Sequence, residues 1–214
     1  MDANRVEYPL LVQPIHVKDP KARDLETIRC SVGHAVTLTR TWHSRLPKTQ
    51  DGPWQFAFKA HYQGFTYAVA LWHNPSARTL PGHWLELRRM ACAPDAPRYT
   101  ASRMLGAMVR FFEKEYPERE KCISYQDIEV HTGTIYKASN WIPEYFSRPR
   151  RRDRSKPRIG TTRNYRSDLN SPRVASAGKI RWAYYLNQPV DHAMIKQQSR
   201  IIAAQIEKCK TITR

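Results

Sequence analysis

The stretch that decides the fold runs from Leu85 to Trp141 and reads LELRRMACAPDAPRYTASRMLGAMVRFFEKEYPEREKCISYQDIEVHTGTIYKASNW. Apolar residues recur at alternate positions after Leu85, which predicts a strand, and two prolines and an aspartate then break the run. From Thr100, the expected N-cap, apolar residues recur at helical spacing as far as Pro117, which predicts a helix. The order strand, loop, helix is therefore the first prediction.

The second half of the stretch repeats this order. Cys122, Ile123 and Tyr125 predict a short buried strand, and residues 132–141 predict a short helix. A strand that leads through a loop into a helix N-terminus directs free backbone N–H groups at one spot, which suits a phosphate group. An ordinary βαβ unit without a ligand would show the same pattern.

Four runs in this order carry a family resemblance: Glu86-Leu87-x-Arg89-Met90, Ala96-Pro97-Arg98-x-Thr100-x-Ser102, Tyr125-x-Asp127 and Gly133-Thr134-x-Tyr136-x-Ala138-Ser139. Together they resemble the Mom family of phage DNA-modification proteins, a divergent branch of the GNAT acyltransferase fold, over residues 40–146 and a closing strand at 179–186. The resemblance implies an α/β fold: a GNAT-like mixed central sheet flanked by helices, with a basic insertion before the last strand.

The same resemblance implies acetyl-CoA or a related coenzyme A thioester as the donor. The residues expected to hold it are Arg89, Arg98, Thr100, Ser102 and Arg103, together with the N–H groups after Pro97. The chain departs here from the usual GNAT signature Q/R-x-x-G-x-G/A, because residues 98–103 contain no glycine.

Composition indicates the partner. The chain has 214 residues, 36 Lys plus Arg, 19 Asp plus Glu and a formal net charge of +17, which predicts a polyanion such as DNA. No stretch approaches the roughly 20 apolar residues of a membrane span, and no secretory leader is apparent, so we expect a cytoplasmic protein, in the host cell if phage-encoded. Four widely spaced cysteines without a CxxC pair indicate neither a zinc module nor a disulfide framework.

The length predicts one GNAT-like domain over residues 1–214. Within it we expect a first strand at 15–17, a helix from Arg23 to Thr39, and a hairpin whose strands span 54–60 and 65–72. A basic insertion should occupy 147–178, and a terminal helix 190–208. That helix could pack on the domain or on a second copy in a homodimer.

Three residues are candidates for catalysis. His43 lies in the loop where related sequences carry a histidine, and it could be a general base, a metal ligand or a substrate contact. Asp127 ends a predicted strand, where open α/β sheets place reacting groups, and could serve as base or metal ligand, or only cap the next helix. The resemblance gives Tyr136 the place of the tyrosine that protonates the departing thiolate, although half-buried packing is its alternative role.

The basic insertion is a candidate nucleic-acid-binding arm. It carries three prolines and no apolar periodicity, so it cannot form its own core. Arginine-rich runs suit phosphate contacts. The residues expected to bind DNA are Arg148, Arg150, Arg151, Arg152, Arg154, Lys156, Arg158, Arg163 and Arg166.

These inferences lead to one preferred function and two alternatives. The preferred function, implied by the resemblance, is addition of a methylcarbamoyl or acyl-type group to adenine N6 in DNA, which would protect phage DNA from restriction. The first alternative is an N-acetyltransferase acting on a small amine or a protein. The second is a non-catalytic nucleic-acid-binding protein with a GNAT-like fold, which would not bind coenzyme A.

Overall fold

A mixed sheet of seven strands forms the centre of the computed structural model, which describes residues 19–43, 49, 52–77, 79–148 and 178–212. Its strand order is β1-β2-β3-β4-β5-β7-β6, and only the β4–β5 pair is parallel. The strands are β1 Glu26–Arg29, β2 Phe56–Tyr62, β3 Phe65–His73, β4 Leu85–Cys92, β5 Lys121–Asp127, β6 Ile142–Ser147 and β7 Lys179–Tyr185.

Four α-helices accompany these strands in the described part of the chain. They are α1 Val32–Trp42, α2 Thr100–Glu115, α3 Thr134–Lys137 and α4 His192–Ile212, with a 3-10 turn at Ala22–Asp24. None of these helices is long and apolar enough to cross a membrane. The GNAT-like mixed sheet predicted from the sequence is confirmed.

The hairpin of β2 and β3 forms because its turn residues accept left-handed backbone angles. Gln63 and Gly64 have φ values of 46° and 85°, the two positive angles that a tight two-residue hairpin needs. β2 and β3 then pair antiparallel and become inner strands, with β1 and β4 outside them. The predicted hairpin and the predicted strand at 179–186 are confirmed.

The two faces of the sheet bury separate clusters. On one face, the ring of Phe112 from α2 meets Phe56, Phe58 and Trp72 edge-on at centroid distances of 5.2, 5.6 and 4.9 Å. Such pairs add about 0.5–1.5 kcal/mol each to their area burial. On the other face, Val36 of α1 packs within a smaller cluster. These clusters hold α1 and α2 against opposite sides of β4, the strand that reaches the candidate site.

The prediction of one helix from Arg23 to Thr39 is wrong. The segment divides into the 3-10 turn, β1 and α1, because β1 finds hydrogen-bonding partners along the edge of β2. The helix begins only after Ser31, whose hydroxyl accepts the His34 N–H at 3.3 Å as an N-cap. Spacing alone could not show this edge pairing. The predicted strand at 15–17 lies outside the described residues.

One other expectation requires correction. The helix expected over 132–141 shrinks to the four residues of α3, because the chain must turn into β6, a strand the sequence analysis did not predict. That strand is the outer neighbour of β7 and contains Pro143, which suits an edge position.

The terminal helix is confirmed and extends to Ile212; it begins after Asp191, whose carboxylate accepts the Met194 N–H at 2.9 Å.

Candidate active site

The site begins where two parallel strands separate. β4 and β5 pair only through Leu85 with Cys122, Glu86 with Ile123 and Leu87 with Ser124. Beyond this point β4 continues along β3 and β5 continues along β7, so a gap opens between their carboxyl ends. Open α/β sheets place ligands in such a crevice.

A β-bulge brings two consecutive arginines to this gap. Trp72 of β3 pairs with Leu87 and Leu71 pairs with Arg89, so Arg88 is an extra residue in β4. A bulge re-aims side chains at the point where it occurs. Arg88 and Arg89 consequently both line the cleft that fills the gap.

The cleft has a volume of about 330 Å³. None of the described residues that line it is an aspartate or a glutamate. Its walls come from His43 after α1, from Arg88, Arg89, Met90 and Cys92 of β4, from Ala101 of α2, from Ser124 and Tyr125 of β5, and from residues 131–136. The guanidinium groups of Arg88 and Arg89 therefore give this cleft a positive potential.

Arg88 is fixed in place by residues behind the cleft. Its Nε lies 3.3 Å from Oε1 of Glu86, and its Nη1 lies 3.2 Å from Nε2 of His73 and contacts the Ser76 hydroxyl. Glu86 is buried, and burial raises the pKa of its carboxyl group. The neighbouring Arg89 donates from Nη1 to the Arg88 carbonyl at 2.8 Å. Hydrogen bonds and, for Arg88, an ion pair thus hold both guanidinium groups in place.

His43 lies directly after α1, where its N–H bonds to the Thr39 carbonyl at 2.9 Å. Burial lowers the pKa of its imidazole, and the positive charges of Arg89 and of His131 lower that pKa further. An imidazole with a pKa below 6.5 is neutral at pH 7 and can accept a proton.

Tyr136 reaches the cleft from α3. Its ring stacks on Trp182 with 5.2 Å between centroids and 13° between planes, and its hydroxyl lies 2.9 Å from Ser124 Oγ. The side chain is buried, and this burial raises the pKa of the phenol, so the hydroxyl stays protonated at neutral pH. His43 and Tyr136, 93 positions apart in sequence, are therefore brought to one cleft.

Asp127 has a different environment from the other two candidates. It ends β5 as predicted, and its Oδ1 accepts the Glu129 N–H at 3.0 Å within the following turn. It is not among the described residues that line the cleft. The structure thus shows a turn contact for its carboxylate, and of the two candidate bases it is His43 that lies at the cleft. Among the described residues, no group of three or more His, Cys, Asp or Glu is arranged to hold a metal ion.

The loop before α2 is the expected donor site. The helix begins at Thr100 as predicted, but its N-cap is Tyr99, so the N-cap assignment to Thr100 was wrong by one residue. Tyr99 has a left-handed φ of 73° and offers no side-chain cap. The Thr100 hydroxyl donates instead to the Pro97 carbonyl at 2.7 Å.

The other predicted donor residues surround this helix start. Arg98 lies over the ring of Tyr99 at 4.8 Å, and Ser102 donates its hydroxyl hydrogen to the Tyr99 carbonyl at 3.1 Å. Arg103 reaches across to the Arg23 carbonyl at 2.9 Å. Of the five residues expected to hold the donor, Arg89 lines the cleft, and the first turn of α2 contributes Ala101 to its wall.

Arg88, Ser124 and His131 are lining residues that were not among the predicted site residues. Arg88 becomes a lining residue only through the bulge, which no short motif announces. Ser124 sits inside an apolar run and resembles ordinary strand sequence. His131 follows a motif residue closely, and its position between two family motifs was the available signal.

The geometry fits a known fold. The sequence profile of the Mom protein family matches residues 64–207, which is more than half of the chain. The chain belongs to the Mom protein family. No curated protein sequence matches the chain significantly.

Solved structures similar to this Mom family member include acetyltransferases. An acetyltransferase from Bacillus subtilis in complex with CoA aligns with a TM-score of 0.50 and 7% identity, over 76% of this chain and 99% of that one. A GNAT family acetyltransferase from Elizabethkingia anophelis with acetyl-CoA bound aligns with a TM-score of 0.49 and 12% identity, over 76% and 99%. At such identities the likeness shows the fold alone.

Gly133, in the last family motif, lies where there is no space for a side chain. Its φ is +74°, and an added Cβ would lie 2.6 Å from Gln126 Oε1 and 2.8 Å from Trp182 Cζ2. We expect Gly133→Ala to lower the free energy of unfolding by roughly 2 to 5 kcal/mol, from backbone strain and overpacking together. Urea denaturation measures this. Gly33→Ala is the control, since Gly33 lies in α1 with open space around it, and alanine there should stabilise slightly.

Among the predicted DNA-binding residues, Arg148 is described by the structure and is exposed just after β6. It lines a groove of about 280 Å³ between β6 and α4. The remaining members, from Arg150 to Arg166, lie outside the described residues.

Proposed function

We propose that this Mom family member transfers an acyl-type group, of the methylcarbamoyl kind, from a coenzyme A thioester to N6 of adenine in DNA. The family membership and the GNAT fold support an acyl-transfer reaction. The observation that carries the choice of acceptor is the positive cleft, with Arg88, Arg89, His43 and His131 on its walls and no carboxylate among its described lining residues.

This charge distribution favours DNA over an amine substrate. A lysine or other aliphatic amine has a pKa near 10 and arrives as an ammonium ion, which two guanidinium groups repel. The exocyclic amine of adenine is uncharged at pH 7 and is flanked by phosphates, which the same cations attract. The net charge of +17 adds long-range attraction for a polyanion.

The residues of the cleft, together with those at the start of α2, can serve each step. Arg98, Arg103 and the start of α2 would hold the donor's pyrophosphate, which the positive end of a helix attracts. An adenine must leave the stack, or be unpaired, before its N6 can enter a cleft of this size. Neutral His43 would accept the proton that N6 loses, and Tyr136 would give a proton to the departing thiolate.

Nucleoside mass spectrometry tests the proposal directly. DNA from cells expressing the protein is digested, and the expected result is an adenosine-derived nucleoside carrying an added acyl-type mass on its base. Cells expressing the Tyr136→Phe variant provide the matched control and should show far less of it. Unmodified DNA together with acylation of cellular amines or proteins would contradict the choice of acceptor and favour the first alternative.

Coenzyme A binding separates the enzyme from the non-catalytic alternative. Calorimetry with free coenzyme A should show binding, and replacing Arg98 and Arg103 together by alanine should weaken it by about tenfold, through lost charge-assisted contacts to phosphate. Arg110→Ala, a change of an exposed arginine nearer the other end of α2, should leave the affinity unchanged. Absence of binding at millimolar coenzyme A would contradict the acyltransferase function.

The pH dependence should report His43. Its pKa lies below the ordinary value of 6.5, so the neutral base persists to lower pH and kcat/KM should begin to fall only as pH drops below 6.5. His131→Gln removes one of the charges that lower this pKa, and the acid limb should move to higher pH. An acid limb centred above 6.5 in the unaltered protein would show that His43 is not the base.

A further inference from the structure

A chain of two hydroxyl groups crosses the point where β4 and β5 separate. Ser124 Oγ donates to the Leu87 carbonyl at 3.1 Å, and the Tyr136 hydroxyl lies 2.9 Å from the same Oγ. Leu87 and Ser124 form the last pair of the parallel ladder. Ser124 is buried although it lines the cleft, so these contacts have little exposure to water.

The direction of these hydrogen bonds follows from which of the three groups has a hydrogen to donate. The Leu87 carbonyl can only accept, so it takes the single hydroxyl hydrogen of Ser124. Tyr136 must then be the donor in the contact between the two side chains. In the resting site, the phenolic hydrogen is thus donated to Ser124.

We propose that Ser124 is the positioning residue of Tyr136, changing from hydrogen-bond acceptor to hydrogen-bond donor when the phenol gives up its proton. The inference rests on the proposed function, in which Tyr136 protonates the thiolate of coenzyme A. At rest, Ser124 holds the phenol in one orientation. After the transfer, rotation of the Ser124 O–H from the Leu87 carbonyl to the phenolate supplies the hydrogen bond that the buried anion requires.

The step balances in atoms and charge. The electron pair of the acceptor nitrogen forms a bond to the acyl carbon, the carbon–sulfur bond of the thioester breaks, and the electron pair of the broken bond remains on sulfur. Sulfur takes the Tyr136 hydroxyl proton and leaves as a thiol, while the acceptor nitrogen loses one proton to His43. Tyr136, now a phenolate bonded to Ser124, regains a proton from solvent, and His43 releases one. The burial that raises the pKa of Tyr136 makes the bond from Ser124 necessary, because an unpartnered phenolate would be costly there.

The test measures transfer to a single-stranded DNA oligonucleotide from acetyl-CoA and from its selenoester analogue, whose selenolate leaves without protonation. With acetyl-CoA, Ser124→Ala should lower kcat by about 10- to 100-fold at unchanged KM, the usual effect of a lost hydrogen bond to a charged group. With the selenoester, the loss should shrink. In the Tyr136→Phe background, Ser124→Ala should cost nothing further, because the two act as one unit.

Ser31→Ala is the control. It also removes a serine hydroxyl that makes a hydrogen bond, with the His34 N–H at 3.3 Å, but Ser31 lies at the opposite end of α1 from His43, so kcat should be unchanged. Should Ser124→Ala fail to fold, Ser124→Cys keeps the size with a weaker donor and should show the same dependence on the donor. An equal loss with both donors, or a loss that adds to that of Tyr136→Phe, would overturn the role of Ser124. A wild-type protein inactive with both donors would overturn the proposed function instead.

Discussion

His43→Asn is expected to lower the rate of adenine modification by at least about 100-fold, the usual cost of losing a general base. Asn keeps hydrogen-bonding capacity but cannot take a proton at neutral pH. Asp127→Asn is expected to leave the rate close to that of the unaltered protein, because its side-chain oxygen can still accept the Glu129 N–H. The measurement is modified adenine per genome for each variant.

Thermal melting separates chemistry from folding in this comparison. His43 follows the last turn of α1 and Asp127 the last position of β5, so both changes lie at element ends and should shift the melting temperature little. The reverse result, an inactive but folded Asp127→Asn and an active His43→Asn, would make Asp127 the base, as its place at a strand end suggested.

The contrast between these residues shows what sequence patterns can predict about this site. A carboxylate at a strand end is recognisable from apolar runs and turn residues, so Asp127 was located correctly on β5. Whether such a carboxylate acts in catalysis or bonds to the backbone depends on the turn that follows, where the Glu129 N–H donates to Asp127. Periodicity contains no information on that contact.

The arginines of β4 show a second limit of prediction from sequence patterns. Alternation placed Arg89 with the leucines on one face of the strand, but the bulge at Arg88 changes the side on which later residues lie. The elements between Leu85 and Asp127 were predicted well because their signals are local: alternation, helical spacing, and prolines at the boundaries. β1 and β6 were missed because both are edge strands whose existence depends on a partner distant in sequence.

The basic arm should dominate affinity for DNA. Replacing Arg150, Arg151 and Arg152 by alanine should reduce the slope of log K against log salt by about 2 to 3, since each neutralised phosphate contributes about 0.9. These three residues lie outside the described part, but both ends of their segment are described. Ser147 of β6 pairs with Lys179 of β7, so the chain leaves and returns at one point of the sheet.

That point lies at the same edge as the cleft. Lys179 also pairs with Asp127 at the end of β5, and the Gly178 carbonyl accepts the Ile128 N–H at 3.1 Å, directly before the segment that contributes His131 to the cleft wall. Phosphates bound by the arm would therefore lie near the nucleotide whose base enters the cleft. Fluorescence anisotropy of a labelled oligonucleotide over a range of salt concentrations measures the slope.

The control replaces Arg110 and Lys114 by alanine. Both are exposed cations in the second half of α2, away from the first turn that faces the cleft. Charges separated by more than a Debye length, about 10 Å at 0.1 M salt, are largely screened, so this change should leave the slope unaltered. Equal slopes for the arm variant and the unaltered protein would show that the arm does not contact DNA. Equal reductions in both variants would mean that net charge, rather than the position of the arm, determines the affinity.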